Sequence, residues 1–215
     1  MTEKEQLRLD KMLEYERALY TKGYEFICGI DEAGRGPLCG PVVAAAVILK
    51  KDDHIEGVND SKKLTEKKRE ELFEIIKERA VAWSVGIVDE ETIDRINILE
   101  ATRLAMKKAV EGLSQKPDFA LVDAEKKVPI DVPYSPIIKG DALSESIAAA
   151  SILAKTYRDD YMMKIAEEYP MYGWAKNKGY PTKAHREAIA QFGPSPYHRK
   201  SFTLLPCQQP IDFGE

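Results

Sequence analysis

An α/β fold with a mixed central sheet flanked by helices is predicted for this chain on three observations. Two apolar runs that read as strands follow one another closely, Phe26 to Ile30 and Pro41 to Leu49, with a Gly-rich turn between them. Strand and helix patterns then alternate, as they do where a sheet acquires parallel strands. Three of the strands end in acids: Ile30 runs into Asp31-Glu32, Val122 into Asp123, and the run from Pro136 to Lys139 into Gly140-Asp141.

Taken in order, Leu9, Met12, Leu13 and Leu19 recur at helical spacing between charged residues and stop at Gly23. The pattern predicts an N-terminal helical extension over 1–23, lying outside the main core. Gly34-Arg35-Gly36-Pro37 turns the chain from the first strand into the Val/Ala-rich second one. Leu72, Phe73, Ile76 and Ala80 share one face of a helix that starts near Thr65, and Val81, Trp83, Val85 and Ile87 alternate as in a strand with one face buried. Asn97 followed three residues later by Glu100 is a capping pattern, and the helix it opens carries Leu104, Val110 and Leu113 to an end near Gly112. Phe119 to Val122 is a short buried strand. From Leu143 to Glu168 the chain reads as one long helix whose many Ala and Ser residues imply close packing. Gly/Pro breaks and one helix near Thr182 to Gln191 make up a C-terminal helical segment, and 206–215 form a tail too short and Pro-broken to build a core element.

A chain of 215 residues makes one large domain or two small ones and buries about 70% of its unfolded surface, enough to dispense with disulfides. With 44% hydrophobic and 32% charged residues it falls outside the disordered, collagenous and coiled-coil classes. Its longest apolar run, Pro41 to Leu49, is too short to cross a bilayer, and its start lacks the apolar core of a signal peptide. A cytoplasmic protein with no membrane partner is therefore expected. Cys28, Cys39 and Cys207 show neither zinc-site nor disulfide spacing and are expected to act as small hydrophobes. The net charge of −4 is uneven: Lys176, Lys178, Lys183, Arg186, Arg199 and Lys200 face one acid between Pro170 and Lys200, giving that stretch +5 and leaving the remainder at −9. An acidic body beside a basic segment suits cations next to a polyanion, and a solvated helix face gives the same count.

In open α/β sheets the ligand crevice lies at the carboxyl ends of the strands. If the strands bearing Asp31 and Asp123 are parallel neighbours, four acids converge there. Such a cluster repels itself unless cations neutralise it, and hard oxygen donors without Cys or His select Mg²⁺ or Mn²⁺. Singly, each acid has an ordinary reading, with Asp141 as a helix N-cap, Asp31 and Glu32 in a turn, and Asp123 at an exposed strand end. Capping does not, however, predict acids at the same end of three strands. An aspartyl-phosphate phosphotransferase would place a second Asp two residues after the first, where this chain has Ala33.

Five blocks in order, GIDEAGRGPLCGPVVAAAVIL (29–49), NDSKKL (59–64), LVDA (121–124), KGDALSESIAAASILAKTYRD (139–159) and KGYPTKAH (178–185), closely resemble bacterial ribonuclease HII. The resemblance runs from about Tyr24 to Leu205 and favours type HII over HIII, which usually carries another residue where Arg35 stands. It implies a ribonuclease-H-like fold, a catalytic domain over 24–205 that acts as a monomer, and metal-dependent cleavage of RNA–DNA hybrids and of DNA duplex containing single ribonucleotides. By that resemblance Asp31, Glu32, Asp123 and Asp141 are the catalytic metal ligands, with two divalent ions engaged and Asp31 bridging them. Gly34, Arg35 and Gly36 inspect the ribonucleotide, Tyr180 packs on the sugar at the RNA–DNA junction, and Ser61 and Lys62 touch a phosphate. Glycines suit such a role, because backbone can approach a 2′-hydroxyl where side chains would collide.

Other residues keep plainer readings. Lys62 and Lys63 also fit a solvated charge run, Lys155 on the long helix pairs with an acid, and His54 is an exposed loop residue. Two rival functions stand beside the nuclease: a metal-independent ribonuclease using His185 and His198 as acid and base, and a non-catalytic hybrid-binding module. The tail segment 208–213, QQPIDF, is similar to the short peptides with which bacterial replication proteins dock on the sliding clamp, although a functionless terminus fits it too.

Overall fold

The computed structural model describes residues 1–205. Its five-stranded sheet is built from β1 (Ile27–Ala33), β2 (Val42–Ile48), β3 (Ala82–Val88), β4 (Phe119–Asp123) and β5 (Tyr134–Ile137), in the order β3-β2-β1-β4-β5. β1, β2 and β3 are antiparallel neighbours, whereas β4 and β5 run parallel to β1. The mixed sheet expected from the order of the patterns is the one that forms. All seven residues of β2 are buried, so this strand shows a continuous apolar run in place of alternation, as a strand covered on both faces must.

Helices cover the two faces. α4 (Glu90–Glu111) packs Ala101, Ala105 and Ala109 against Val42, Ala44 and Ala46, while α3 (Glu66–Arg79) and α6 (Glu145–Glu168) pack on Ala45 and Val47. Small residues decide how closely α6 approaches. A Cβ at Gly29 of β1 would lie 2.1 Å from the Ser146 carbonyl carbon, so only hydrogen lets helix and strand meet there. The close packing implied by the Ala/Ser content is therefore real, and it brings Asp31, two residues along β1 on the same face, against α6.

Several expectations require correction. The N-terminal extension forms two helices, α1 (Glu3–Met12) and α2 (Glu14–Tyr20), and lies within the core: Leu9 and Met12 join the cluster under α6, Leu19 packs with Ile27, Phe119 and Leu121, and Leu13 is buried as well. Its docking is polar as well as apolar, because the buried Glu16 carboxylate accepts from the Ser144 hydroxyl (2.6 Å) and the Ser146 hydroxyl (2.7 Å) at the start of α6. His54 is largely covered, with Nδ1 3.1 Å from Glu145 and Nε2 3.3 Å from Asp10. Asn97 does cap a helix, its side-chain oxygen accepting from the Leu99 and Glu100 amides at 2.9 and 3.2 Å, but at φ 69° it interrupts α4, whose first turns open at the Asp89 cap. β3 turns its small residues Ala82 and Gly86 to α4, and the alternating Trp83, Val85 and Ile87 are only partly covered. The helix read from Leu143 begins at Glu145, with Ser144 as its cap.

Gly29→Ala is expected to destabilise the fold by about 3 kcal/mol or more, because backbone rather than a flexible side chain occupies the space. Chemical denaturation checks this; a loss below about 1 kcal/mol would mean that the contact between β1 and α6 yields easily.

Candidate active site

β1 and β4 pair with Ile30 opposite Val122, so Asp31 and Asp123 leave the sheet side by side at the same end. Asp141 arrives from α5 (Gly140–Leu143), which follows β5 after two residues. One carboxylate oxygen from each of the three lies within 4.8 Å of the others. Asp141 is not an N-cap, since Lys139 holds that position and Ser144 caps α6. Glu32 is outside this triplet but lines the same cleft as Asp31, with its carboxylate 3.3 Å from the Arg35 guanidinium. Three acids thus converge closely, and the fourth borders them.

The electrostatics are those of a site short of positive charge. Burial, followed by the charges of Glu32 and Asp123, raises the Asp31 carboxyl well above its usual range. Glu32 is raised by burial although Arg35 opposes the shift, and Asp123 is raised by burial although the Gly140 amide donates to it at 2.7 Å. Asp31 is 4% exposed and Asp141 5%. Lys62, with its Nζ 3.5 Å from Asp141, is the nearby cation; burial lowers its pKa, but the charges of Asp141, Asp31 and Asp60 outweigh that and hold it above its ordinary value. The donor set is oxygen only, as hard divalent cations require.

A cleft of about 210 Å³ opens beside these acids, lined by Asp31, Glu32, Gly34, Arg35, Gly36, Ser61, Lys62, Ser151, Lys155 and Tyr180. Every residue that the sequence singled out for substrate contact lines this one cleft. Tyr180 is 41% exposed with its ring 3.8 Å from the position a Gly36 Cβ would take, so it is a wall of the cleft and not a packed loop aromatic. Ser61 is the exception in orientation, because its buried hydroxyl is engaged with the Ser151 hydroxyl at 2.8 Å while Lys62 stands in solvent. Lys155 pairs with Asp159 at 2.6 Å, an acid outside the triplet.

The C-terminal segment differs most from expectation. His185 and His198 are buried, with their ring nitrogens committed. The Ser195 amide donates to His198 Nδ1 (2.9 Å), so the His198 proton sits on Nε2 and is donated to His185 Nε2 (3.2 Å), which also accepts from Trp174 (2.9 Å). His185 Nδ1 donates in turn to the Tyr180 carbonyl (2.9 Å). Burial, then the neighbouring His185, lowers His198 to about 4. A closed network of neutral rings has no proton to trade with a substrate, which removes the basis of the histidine mechanism. Cys39 Sγ approaches both rings, but their nitrogens already have partners. The buried Cys28 and Cys39 thiols are pushed up to about 12, consistent with small hydrophobes, and Cys207 lies outside the described residues.

The +5 stretch is not evenly exposed. Lys178 pairs with Glu66 (3.3 Å), Arg186 donates to the Thr203 carbonyl (2.9 Å), and Arg199 is fully buried, leaving Lys176, Lys183 and Lys200 exposed. Arg199, together with the buried Arg158 of α6, was missed as a structural element of the site. Neither carries a local signal in the sequence: Arg158 is followed by Asp159-Asp160 and Arg199 by Lys200, as in any solvated charge run.

A family model described as ribonuclease HII matches residues 28–205. The chain belongs to the ribonuclease HII family. A ribonuclease HII of Clostridioides difficile is 57% identical over 199 residues, covering 93% of this chain and 78% of its own length. The fold is similar to that of ribonuclease HII from Archaeoglobus fulgidus, solved in a complex with PCNA, at 29% identity and a TM-score of 0.72 over 86% of this chain and 98% of that one. It is also similar to Bst-RNase HIII in complex with Mn²⁺, at 21% identity and a TM-score of 0.62 over 78% and 63% of the two chains.

Because Asp31 is raised in the fold, ionising it costs stability that is present below its ordinary pKa and lost as pH rises through the folded value. Metal-free Asp31→Asn is therefore expected to melt at or above the wild-type temperature at pH 7, with the difference shrinking toward pH 4. Thermal melts in EDTA test this, and a clear drop at pH 7 would make Asp31 a structural residue.

Proposed function

We propose that this protein is an endoribonuclease that hydrolyses the RNA strand of RNA–DNA hybrids and cuts 5′ to single ribonucleotides in duplex DNA. The observation that carries the reading is the approach of the Asp31, Asp123 and Asp141 carboxylates within 4.8 Å beside a cleft lined by Gly34-Arg35-Gly36 and Tyr180. Asp31, Asp123 and Asp141, with Glu32 at the border, would hold Mg²⁺ or Mn²⁺, two ions during turnover, with Asp31 shared between them. A metal held there would acidify a water and offset the negative charge that develops on the phosphate. Gly34 and Gly36 let backbone reach the ribose, Tyr180 packs on the sugar that follows, and Lys62 meets a phosphate from its exposed position at the mouth. The solved Mn²⁺ complex of Bst-RNase HIII, a more distant relative, supports a divalent metal of this kind.

The substrates are RNA–DNA hybrid and ribonucleotide-containing duplex, acted on by a monomer in the cytoplasm; among the described residues no helix is long and apolar enough to cross a membrane. Clamp docking through 208–213 lies outside the described residues. The PCNA complex of the Archaeoglobus fulgidus protein supports a clamp as partner.

Incubating a DNA duplex containing one ribonucleotide with Mg²⁺ is expected to give a 3′-hydroxyl and a 5′-phosphate, and EDTA is expected to abolish the cut. A 2′,3′-cyclic phosphate, or cleavage that survives EDTA, would overturn the proposal. Tyr180→Ala is expected to lower cleavage at a single ribonucleotide more than cleavage of a continuous RNA strand, because only the former places a deoxyribose directly after the cut unit. Initial rates on the two substrates give the ratio, and equal losses would leave Tyr180 no junction role.

A further inference from the structure

Arg158 and Arg199 are among the largest fully buried side chains of this protein. Among the described residues neither has a carboxylate within ion-pair distance. A guanidinium sealed away from water is costly unless its donors are satisfied, and here they are satisfied by backbone carbonyls. Arg199 Nε and Nη2 donate to the Gly40 carbonyl (2.9 and 2.7 Å), Nη1 to those of Pro37 (2.9 Å) and Arg35 (3.2 Å), and Nη2 also to that of Gly34 (2.7 Å). Arg158 donates to the carbonyls of Pro41 (3.1 Å), Cys39 (3.1 Å) and Lys178 (3.0 Å). Two cations thus grip the loop between β1 and β2 from within, and Arg158 ties it to the segment that carries Tyr180.

The choice of arginine matters. Apolar packing would hold such a loop in place without fixing how its peptide planes are turned, whereas a planar fork of five donors fixes carbonyl directions. In a trans peptide the N–H lies opposite the C=O, and no peptide bond of the described residues is cis. With the Gly34 and Arg35 carbonyls drawn inward to Arg199, the amides of Arg35 and Gly36 are turned the other way. Neither amide donates to a backbone acceptor among the described residues. Gly34 itself leaves no alternative space: at φ 97°, a Cβ there would lie 2.3 Å from Arg158 Nε.

We infer that Arg199, braced by Arg158, is a positioning residue for specificity: it turns the peptide planes of Gly34-Arg35-Gly36 so that their amides are presented to the ribose, and so sets the discrimination between ribonucleotide and deoxyribonucleotide. The inference rests on the proposed function, in which this turn meets the ribonucleotide. Lysine at 199 would keep the charge and lose the fork.

The test compares Arg199→Lys and Arg199→Met with the wild type, each well below its own melting temperature. Binding is measured by anisotropy in proteins that also carry Asp31→Asn, using one duplex with a single ribonucleotide and its all-deoxy counterpart. Both Arg199 variants are expected to lose tenfold or more of the ribo-to-deoxy affinity ratio while affinity for the all-deoxy duplex stays within twofold. With Asp31 intact, kcat/KM is expected to fall a hundredfold while the Mg²⁺ concentration for half-maximal cleavage stays within twofold. A folded Arg199→Lys that discriminates as the wild type does would overturn the inference, as would a loss that falls equally on both duplexes. Should neither variant fold, side-chain NMR of wild-type Arg199 decides: its guanidinium resonances must shift with the ribonucleotide duplex and not with the all-deoxy one, and identical spectra would overturn the inference. Failure of the functional reading looks different, because the wild type itself would then leave the ribonucleotide duplex uncut in Mg²⁺.

Discussion

Parallel pairing of β1 with β4 sets Asp31 beside Asp123, and α5 adds Asp141 to the same spot. Three carboxylates held this close, two of them buried, repel one another and lose hydration at the same time. Among the described residues two ammonium groups line the cleft: Lys62, 3.5 Å from Asp141, is mostly in water, and Lys155 is taken up by Asp159. The remaining positive charge must come from outside, and the rest of the site is understandable as the structure needed to hold an arrangement that is unfavourable by itself. Gly29 lets α6 seat directly on β1, Glu16 from the N-terminal helices fastens the start of α6, and the Gly140 amide fixes Asp123.

The substrate side of the cleft is held by a different means. Carbonyls of the loop between β1 and β2 converge on Arg199 and Arg158, and the Tyr180 segment is tied down by Arg158, by His185 and by the Leu38 amide donating to the Gly179 carbonyl at 2.8 Å. The KGYPTKAH histidine is thus a hydrogen-bonding post in a neutral network. Its low basicity follows from burial, and what it contributes is position. The acids are set by the sheet and α5, whereas the two arginines, buried and without carboxylate partners among the described residues, hold the substrate-side loop from within the protein.

Much of this was legible in the sequence, for identifiable reasons. Acids at strand ends could be read because strand runs are apolar and their ends are sharp, so Asp31, Asp123 and Asp141 stood out as a set. Gly34 could be read because few other residues adopt its φ of 97°. What could not be read were properties of tertiary contact. Nothing local distinguishes Arg199, sealed against four carbonyls, from the exposed Lys200 beside it. The helical repeat of Leu9, Met12 and Leu19 shows an apolar face but not that the face enters the core. Asp31 and Glu32 are adjacent in sequence, and only the fold puts one in the triplet and the other beside Arg35.

The central claim is that the acid triplet is a metal site. A crystal of the protein soaked in Mn²⁺ and measured for anomalous scattering tests it most directly. The account predicts a strong anomalous peak within coordinating distance of Asp31 and at least one of Asp123 and Asp141, and no such peak in a crystal of Asp31→Asn under the same conditions. Manganese bound elsewhere on the wild-type protein, with the triplet vacant, would contradict it.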